Sequence, residues 1–119
     1  MSKTKENLNI VWIGFHEEGR FCIEELYKNG FNVSAIFTLN ESEKEKRAGV
    51  FSYKSQSVKY QIPIVEVKHI NDEFSIKRLD EFKPDIIFVI GWSQILSAKA
   101  LATAKWVVGA HASKLPENR

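Results

Sequence analysis

Five short apolar segments recur along the chain and are separated by polar or glycine-containing stretches. They cover residues 9–14, 32–38, 62–67, 85–91 and 106–111. The strongest of them are apolar at consecutive positions instead of alternating with polar residues. This is typical of strands that are buried on both faces of a parallel sheet. The pattern therefore predicts five strands.

Helical spacing of apolar residues fills the intervals between these segments. A helix is predicted after the first strand, and Gly30 is expected to end it. Residues 50–60 give a weaker helical signal, which includes the apolar side chain of Val58. Asn71 is expected to cap a helix that ends before Pro84, because the residue before a proline disfavours helical geometry. A short helix is predicted around residues 97–103.

Strands and helices alternate throughout, which predicts a Rossmann-like α/β fold. We expect a doubly wound, mainly parallel sheet of about five strands with helices on both faces. In sheets of this kind, ligands bind outside the carboxyl ends of the strands. Three strand ends therefore become candidate functional segments, namely residues 14–19, 91–96 and 109–119.

Composition restricts the classes of function. The 119 residues suffice for one domain, and the 17 basic and 15 acidic side chains are intermixed, so no nucleic-acid surface is expected. Cys22 is the single cysteine, and His16, His69 and His111 lack metal-ligand spacing, so we expect neither a disulfide nor a metal. No segment approaches the roughly 18 apolar residues of a membrane helix. We expect a soluble protein of the reducing cytoplasm with no membrane partner.

The first strand is followed by GFHEEG, in which Gly14 and Gly19 occupy two of the three glycine positions of a dinucleotide-binding turn. The remaining position holds His16, whose imidazole, with the two carboxylates that follow it, opposes the close approach of a pyrophosphate. We therefore expect no nicotinamide or flavin cofactor. The turn is interpreted either as a connection whose glycines relieve strain or as a loop that faces a substrate.

The fourth strand is followed by GWSQIL. Trp92 and Leu96 can line a flat pocket here, and exposed backbone at a strand end can hydrogen-bond to a planar heterocycle. The alternative is that Trp92, Ile95 and Leu96 belong to the hydrophobic core, where aromatic and aliphatic side chains usually lie.

The fifth strand is followed by GAHASKLP and carries His111 at its end. Small neighbouring residues leave space around the imidazole, and Ser113 lies two positions further on as a hydrogen-bond partner. Imidazole is the side chain best suited to moving protons near neutral pH. A purely structural histidine is the alternative interpretation.

Taken together, the three strand ends resemble the folate-dependent formyltransferase family. The family signature reads approximately Asn-x-His-x-Ser-x-Leu-Pro-x-x-Arg-Gly, and this chain matches it at five positions: His111, Ser113, Leu115, Pro116 and Arg119. GFHEEGRFCIEEL is similar to the first loop of the branch that N-formylates nucleotide-linked amino sugars, notably UDP-4-amino-4-deoxy-arabinose. PDIIFVIGWSQIL is similar to the family's fourth strand and folate loop.

The resemblance implies a reaction and a set of site residues. A primary amine of the substrate would attack the formyl carbon of N10-formyltetrahydrofolate, which requires a proton shuttle and donors to the developing oxyanion. His111 would be the catalytic proton donor or oxyanion partner. The folate would be bound by Trp92, Gln94, Ile95 and Leu96, and the nucleotide-linked amino sugar by His16, Ser113 and Arg119.

Two features depart from the family pattern. Gly109 stands where the family has an asparagine, and the chain stops before the final glycine of the signature and before a downstream aspartate. We therefore expect residues 1–119 to form the front part of a catalytic domain, with little or no turnover alone. Residues 1–8 are expected to be disordered and the charged residues 40–47 to form a mobile loop.

Other interpretations stay open at this point. A folate- or nucleotide-sugar-binding module without chemistry is one alternative, and Gly109 slightly favours it. A methionyl-tRNA formyltransferase-like protein is another. An uncovered last strand, near residues 106–111, is also expected to lead to a homo-oligomer, because an open strand edge can pair with another chain.

Overall fold

The computed structural model describes residues 4–14, 18–39, 53–90 and 96–110. Its strands are β1 (Ile10–Ile13), β2 (Val33–Leu39), β3 (Ile64–Val67), β4 (Ile86–Ile90) and β5 (Trp106–Ala110). Its helices are α1 (Glu18–Lys28), α2 (Lys54–Tyr60), α3 (Glu73–Phe82) and α4 (Ala98–Leu101), and a short 3-10 turn over Lys5–Asn7 precedes β1. No helix in these ranges is long and apolar enough to cross a membrane.

The five strands form one parallel sheet in the order β3-β2-β1-β4-β5. The chain builds outwards from β1 to β3, crosses back over the sheet, and then continues from β4 to β5. The crossing creates a change of direction between β1 and β4, which is where open α/β sheets place their ligands. The predicted Rossmann-like α/β fold is confirmed.

Each face of the sheet carries its own core. On one face, Trp12 packs with Ile23 of α1 and with Tyr53, which precedes α2. On the other face, Ile13 packs with Leu79 of α3 and Ala100 of α4. Successive residues of β1 therefore point into different cores, as the pleat of a strand requires, and both cores exclude water. This explains why the strand is apolar without alternation.

The helix ends follow local chemistry, with one correction. Gly30 ends α1 with a φ of 90°, a conformation that glycine adopts without steric cost. The predicted cap Asn71 is wrong by one residue, because the side chain of Asp72 accepts the hydrogen bond from the Ser75 amide at 2.8 Å. The carboxamide of Asn71 is engaged elsewhere, as described below.

A buried carboxylate fixes the amino-terminal edge of the sheet. Asp85 is only 3% exposed, and its Oδ2 accepts a hydrogen bond of 2.8 Å from the Asn9 amide. Its Oδ1 lies 3.4 Å from the ammonium of Lys105. The contact joins the residues that precede β1, β4 and β5. Because the amino ends of these three strands are held in alignment, their carboxyl ends are aligned as well.

Candidate functional site

The three candidate strand ends belong to neighbouring strands. Ile13 of β1 lies opposite Val89 of β4, and Val89 lies opposite Gly109 of β5. Because the strands are parallel and adjacent strands lie about 4.8 Å apart, the three carboxyl ends emerge within about 10 Å of one another. The topology thus directs the segments that follow β1, β4 and β5 to one edge of the sheet.

Of the predicted site residues, the structure describes Leu96. Its side chain is half-buried and packs against the core on the α3 and α4 face. The other predicted site residues lie outside the described ranges: His16, Trp92, Gln94, Ile95, His111, Ser113 and Arg119. The roles assigned to these seven residues therefore stay predictions.

The two glycines that border the first loop are required by close packing. A Cβ atom on Gly14 would lie 2.8 Å from the carbonyl oxygen of Ile90 and 2.9 Å from Nε1 of Trp12. A Cβ atom on Gly19 would overlap the hydroxyl of Tyr53. Aromatic side chains of the core therefore pack directly against both glycines and leave no space for a side chain at either position.

Two buried polar atoms lie near the carboxyl ends of β1 and β2. Trp12 Nε1 and Thr38 Oγ1 are both sequestered, and neither has a hydrogen-bond partner among residues 4–14, 18–39, 53–90 and 96–110. Burying such a group without a partner costs about 1–3 kcal/mol, so each atom marks a place where a partner is favoured. The sequence carries no signal for this pair, since both residues lie within apolar strands.

Asn71 holds the segment that contains Leu96. Its Oδ1 accepts a hydrogen bond of 2.7 Å from the backbone amide of Ser97, the residue after Leu96. Ser97 in turn caps α4, because its hydroxyl accepts from the Ala100 amide at 3.2 Å. The turn before α3 therefore restrains the backbone at Ser97, immediately before α4. Sequence reasoning missed this contact, which joins residues 26 positions apart.

A charged and aromatic cluster ties α1 to α2. Glu24 accepts hydrogen bonds from the hydroxyl of Tyr60, from Lys59 Nζ at 3.1 Å and from Gln56 Nε2 at 3.3 Å. The hydrogen bond from Tyr60 is the largest cause that lowers the pKa of the Glu24 carboxyl. The rings of Tyr27 and Tyr60 stack with centroids 3.9 Å apart. Burial of Tyr27 raises its pKa. The cluster stabilises the helices beside the glycine turn.

No group of three His, Cys, Asp or Glu residues that could hold a metal ion occurs within the described part of the chain. His69 is exposed there, and its Nδ1 accepts a hydrogen bond of 3.1 Å from the Asn71 amide. This histidine lies in the turn before α3, and its hydrogen bond stabilises that turn. His69 therefore makes a suitable control for experiments on His111.

Comparison with known proteins relates the chain to formyltransferases. It is 33% identical over 116 residues to the methionyl-tRNA formyltransferase of Clostridium beijerinckii and 35% identical over 116 residues to that of Clostridium acetobutylicum. It is 32% identical over 113 residues to the bifunctional polymyxin resistance protein ArnA of Wigglesworthia glossinidia brevipalpis. Each match covers 94% of this chain. No protein-family model matches it.

The chain covers a much smaller share of each relative than the relative covers of the chain. The chain spans 37% of each of the two clostridial enzymes and 17% of ArnA. The similarity therefore concerns one region of these relatives, and it runs through all five strands described above. The same region contains the first two of the three strand ends on which the resemblance to formyltransferases rests.

Proposed function

We propose that the chain serves N-formyl transfer from N10-formyltetrahydrofolate to the primary amine of a nucleotide-linked amino sugar. The observation that carries this proposal is the similarity to formyltransferases over 94% of the chain. The sheet order supports it, because β1, β4 and β5 lie side by side and their ends carry the segments that resemble the family. When bound, N10-formyltetrahydrofolate supplies the formyl group.

In this proposal His111 is the catalytic residue. It follows β5 directly, at the edge where parallel α/β sheets bind their ligands. Its imidazole would hold the proton that leaves the attacking amine, or donate a hydrogen bond to the oxygen that becomes negative. Gly109 provides no side-chain donor for that oxygen, so the chain would rely on His111 more heavily than enzymes with the family asparagine.

The segment after β4 would bind the folate. Trp92 would contact the pterin ring, and the backbone of Gln94, Ile95 and Leu96 would hydrogen-bond to its edge. Leu96 has its side chain in the core, which leaves its backbone groups as the part suited to a ligand. The hydrogen bond from Ser97 to Asn71 supports this role, because it restrains the end of the same segment.

The acceptor site would be formed by His16, Ser113 and Arg119. The sugar is the preferred acceptor because GFHEEGRFCIEEL resembles the first loop of the sugar-modifying branch. A second candidate acceptor is methionyl-tRNA, which is supported by the identity of 33% and 35% to two methionyl-tRNA formyltransferases. Identity to the bifunctional polymyxin resistance protein ArnA is 32% over the same share of the chain, so overall similarity does not single out the methionyl-tRNA enzymes.

A transfer assay with two acceptors tests the proposal. Because residues 1–119 alone are expected to show little or no turnover, the protein that carries this sequence is tested at its full length. It is incubated with N10-formyltetrahydrofolate and either UDP-4-amino-4-deoxy-arabinose or methionyl-tRNA, and the formamide product is measured by mass spectrometry. We expect folate-dependent formylation of the sugar. The matched control omits the folate, and a second control replaces the amino sugar with the corresponding hydroxyl sugar, which has no amine to attack.

Each outcome separates the candidates. Formamide found only on methionyl-tRNA would show that the acceptor is the tRNA and not the amino sugar. Saturable binding of the folate or the nucleotide sugar with no formamide would indicate a binding module. Neither binding nor transfer with either acceptor would overturn the proposal.

A further inference from the structure

Two aromatic side chains contact both ends of the connection between β1 and α1. A Cβ atom on Gly14 would lie 2.9 Å from Nε1 of Trp12 and 3.3 Å from the hydroxyl of Tyr53. A Cβ atom on Gly19 would lie 3.0 Å from the same Nε1 and would overlap the same hydroxyl. The indole nitrogen and the phenol oxygen therefore fill the space beside both glycines.

Both aromatic rings are held firmly in the core. Tyr53 is 1% exposed, and its carbonyl oxygen accepts a hydrogen bond of 2.9 Å from the Ser57 amide in α2. Hydrogen bonds to Glu24 tie α2 to α1. Trp12 is also 1% exposed and stacks on Phe88 of β4, with ring centroids 5.9 Å apart. Because protein cores are close-packed, neither ring can move without displacing its neighbours.

The residue that follows β1 also contacts the end of β4. A Cβ atom on Gly14 would lie 2.8 Å from the carbonyl oxygen of Ile90, the last residue of β4. On its other side, the Gly14 amide donates to the carbonyl oxygen of Phe37 in β2 at 3.1 Å. This contact lies where the strand order changes direction, the usual ligand position in open α/β sheets. The position of Gly14 therefore determines how the exits of β1 and β4 are placed relative to each other.

We infer that Tyr53 is a positioning residue for the amine acceptor, an inference that rests on the proposed formyl transfer. His16, assigned above to the acceptor site, lies between Gly14 and Gly19 in sequence, and the segment assigned to the folate follows Ile90 directly. The hydroxyl of Tyr53 contacts both glycines, so it fixes where the connection leaves β1 and where it enters α1. Tyr53 acts through the backbone and does not touch a substrate.

The hydroxyl is the part of Tyr53 that carries this role. Apolar burial requires only its ring, which packs with Ile23 and Ile36, because burying a hydroxyl costs free energy that a hydrogen bond offsets. A phenylalanine would keep the ring in the core and leave space beside the two glycines. Productive geometries require side chains to be held within about 0.5 Å, so this added freedom should weaken use of the acceptor.

Steady-state kinetics of the protein at its full length test this role. The acceptor is UDP-4-amino-4-deoxy-arabinose or methionyl-tRNA, whichever the parent formylates. Tyr53→Phe is expected to raise the KM for that acceptor about threefold to tenfold. The KM for N10-formyltetrahydrofolate should change less, because the folate segment contacts Gly14 only through Ile90.

Tyr60→Phe is the matched control. It makes the same chemical change in α2, at a hydroxyl that donates to Glu24. Because a hydrogen bond to an ionised group is lost, we expect Tyr60→Phe to lower the thermal midpoint at least as much as Tyr53→Phe does. Its KM for the acceptor should equal that of the parent. A general loss of stability would therefore not reproduce the effect of Tyr53→Phe.

A second substitution returns an atom to the vacated space. The Cβ atom of Gly19→Ala would take the place of the missing hydroxyl, so in the Tyr53→Phe background it is expected to bring the KM for the acceptor back towards the parental value. A parent that formylates neither acceptor would overturn the proposed function and this inference with it. An active parent with no rescue, or with equal KM in Tyr53→Phe and Tyr60→Phe, would overturn this inference alone.

Discussion

The hydroxyl of Tyr53 occupies the space that a side chain on Gly19 would need. Tyr53 is 1% exposed and packs in the core with Trp12, so its ring cannot move aside without opening that core. The contact joins the residue before α2 to the first turn of α1. It gives Gly19 a packing role in a turn that, by sequence alone, resembles part of a dinucleotide-binding motif.

Gly19→Ala is expected to destabilise the protein. Alanine is about 1 kcal/mol better than glycine inside a helix. The added methyl group would overlap the Tyr53 hydroxyl and lie 3.0 Å from the Trp12 ring, and overpacking of this kind costs about 1–3 kcal/mol. The free energy of unfolding, measured in urea, should fall. A variant more stable than the parent would contradict this prediction, because it would show that the core side chains rearrange at little cost.

The matched control combines Gly19→Ala with Tyr53→Phe, which removes the overlapping hydroxyl. We expect the loss caused by Gly19→Ala to be smaller in the Tyr53→Phe background than in the parent. Additive effects of the two substitutions would contradict direct contact, because non-interacting sites add.

Asn71→Leu is expected to raise the KM for N10-formyltetrahydrofolate more than it lowers kcat. The substitution removes the acceptor for the Ser97 amide and releases the end of the segment that contains Leu96. Loss of one such hydrogen bond corresponds to a rise in KM for N10-formyltetrahydrofolate of up to about tenfold, with kcat little changed. Asn71→Asp keeps an acceptor oxygen and should restore KM. Equal effects of both variants on KM would contradict this positioning role.

The contribution of Glu24 to stability is expected to depend on pH. The hydrogen bond from Tyr60 lowers the pKa of this carboxyl in the folded protein below its ordinary value of 4.5. The ionised form is therefore the one the fold favours, and its stabilisation is complete above pH 4.5 and lost as pH falls through the folded pKa. Glu24→Gln should lower the free energy of unfolding at neutral pH by about 1 kcal/mol or less, because Glu24 is partly exposed and solvent screens the charge.

Urea unfolding of Glu24→Gln and the parent across acidic pH measures this dependence. We expect the difference between them to shrink as Glu24 becomes protonated. Glu66→Gln, at an exposed position of β3, provides the control and should change stability little. A Glu24→Gln effect that stays constant down to the lowest pH would contradict the assignment.

Gly109→Asn is expected to raise the rate of formyl transfer. The substitution restores the family asparagine at a position on β5 next to the proposed catalytic histidine. One donor to a developing oxyanion contributes about a hundred- to a thousandfold in kcat. Gly109→Ala controls for the loss of backbone freedom and should leave the rate low. If Asn and Ala at this position gave equal rates, the oxyanion role would be wrong.

The strands were predictable from sequence to within two residues at each end, because their apolar residues face two cores and leave a continuous apolar signal. Helix α2 was harder to place. Val58, part of its apolar pattern, is 73% exposed, while the polar Gln56 is buried and donates to Glu24. A buried polar residue with a partner on another helix breaks the periodicity from which helices are predicted.

Local sequence patterns could not predict the contacts between segments that are distant in sequence. Asn71 and Asp72 can each cap a helix, and the distant amide of Ser97 that engages Asn71 leaves Asp72 as the cap. The packing of Tyr53 against Gly19 likewise joins distant positions. The convergence of three strand ends could be predicted, since it follows from parallel topology. The roles of individual side chains at that edge came from a family resemblance, because their local sequence allows a structural role equally well.

Formyl transfer by His111→Gln and His69→Gln tests the central claim most directly. Both substitutions replace an imidazole with an uncharged amide, and a glutamine at position 69, in the exposed turn before α3, still offers an oxygen to the backbone amide of Asn71. We expect His111→Gln to reduce folate-dependent formamide formation by about a hundredfold or more, as loss of a general acid–base group does. His69→Gln should retain the parental rate. A His111→Gln variant as active as the parent would contradict the account.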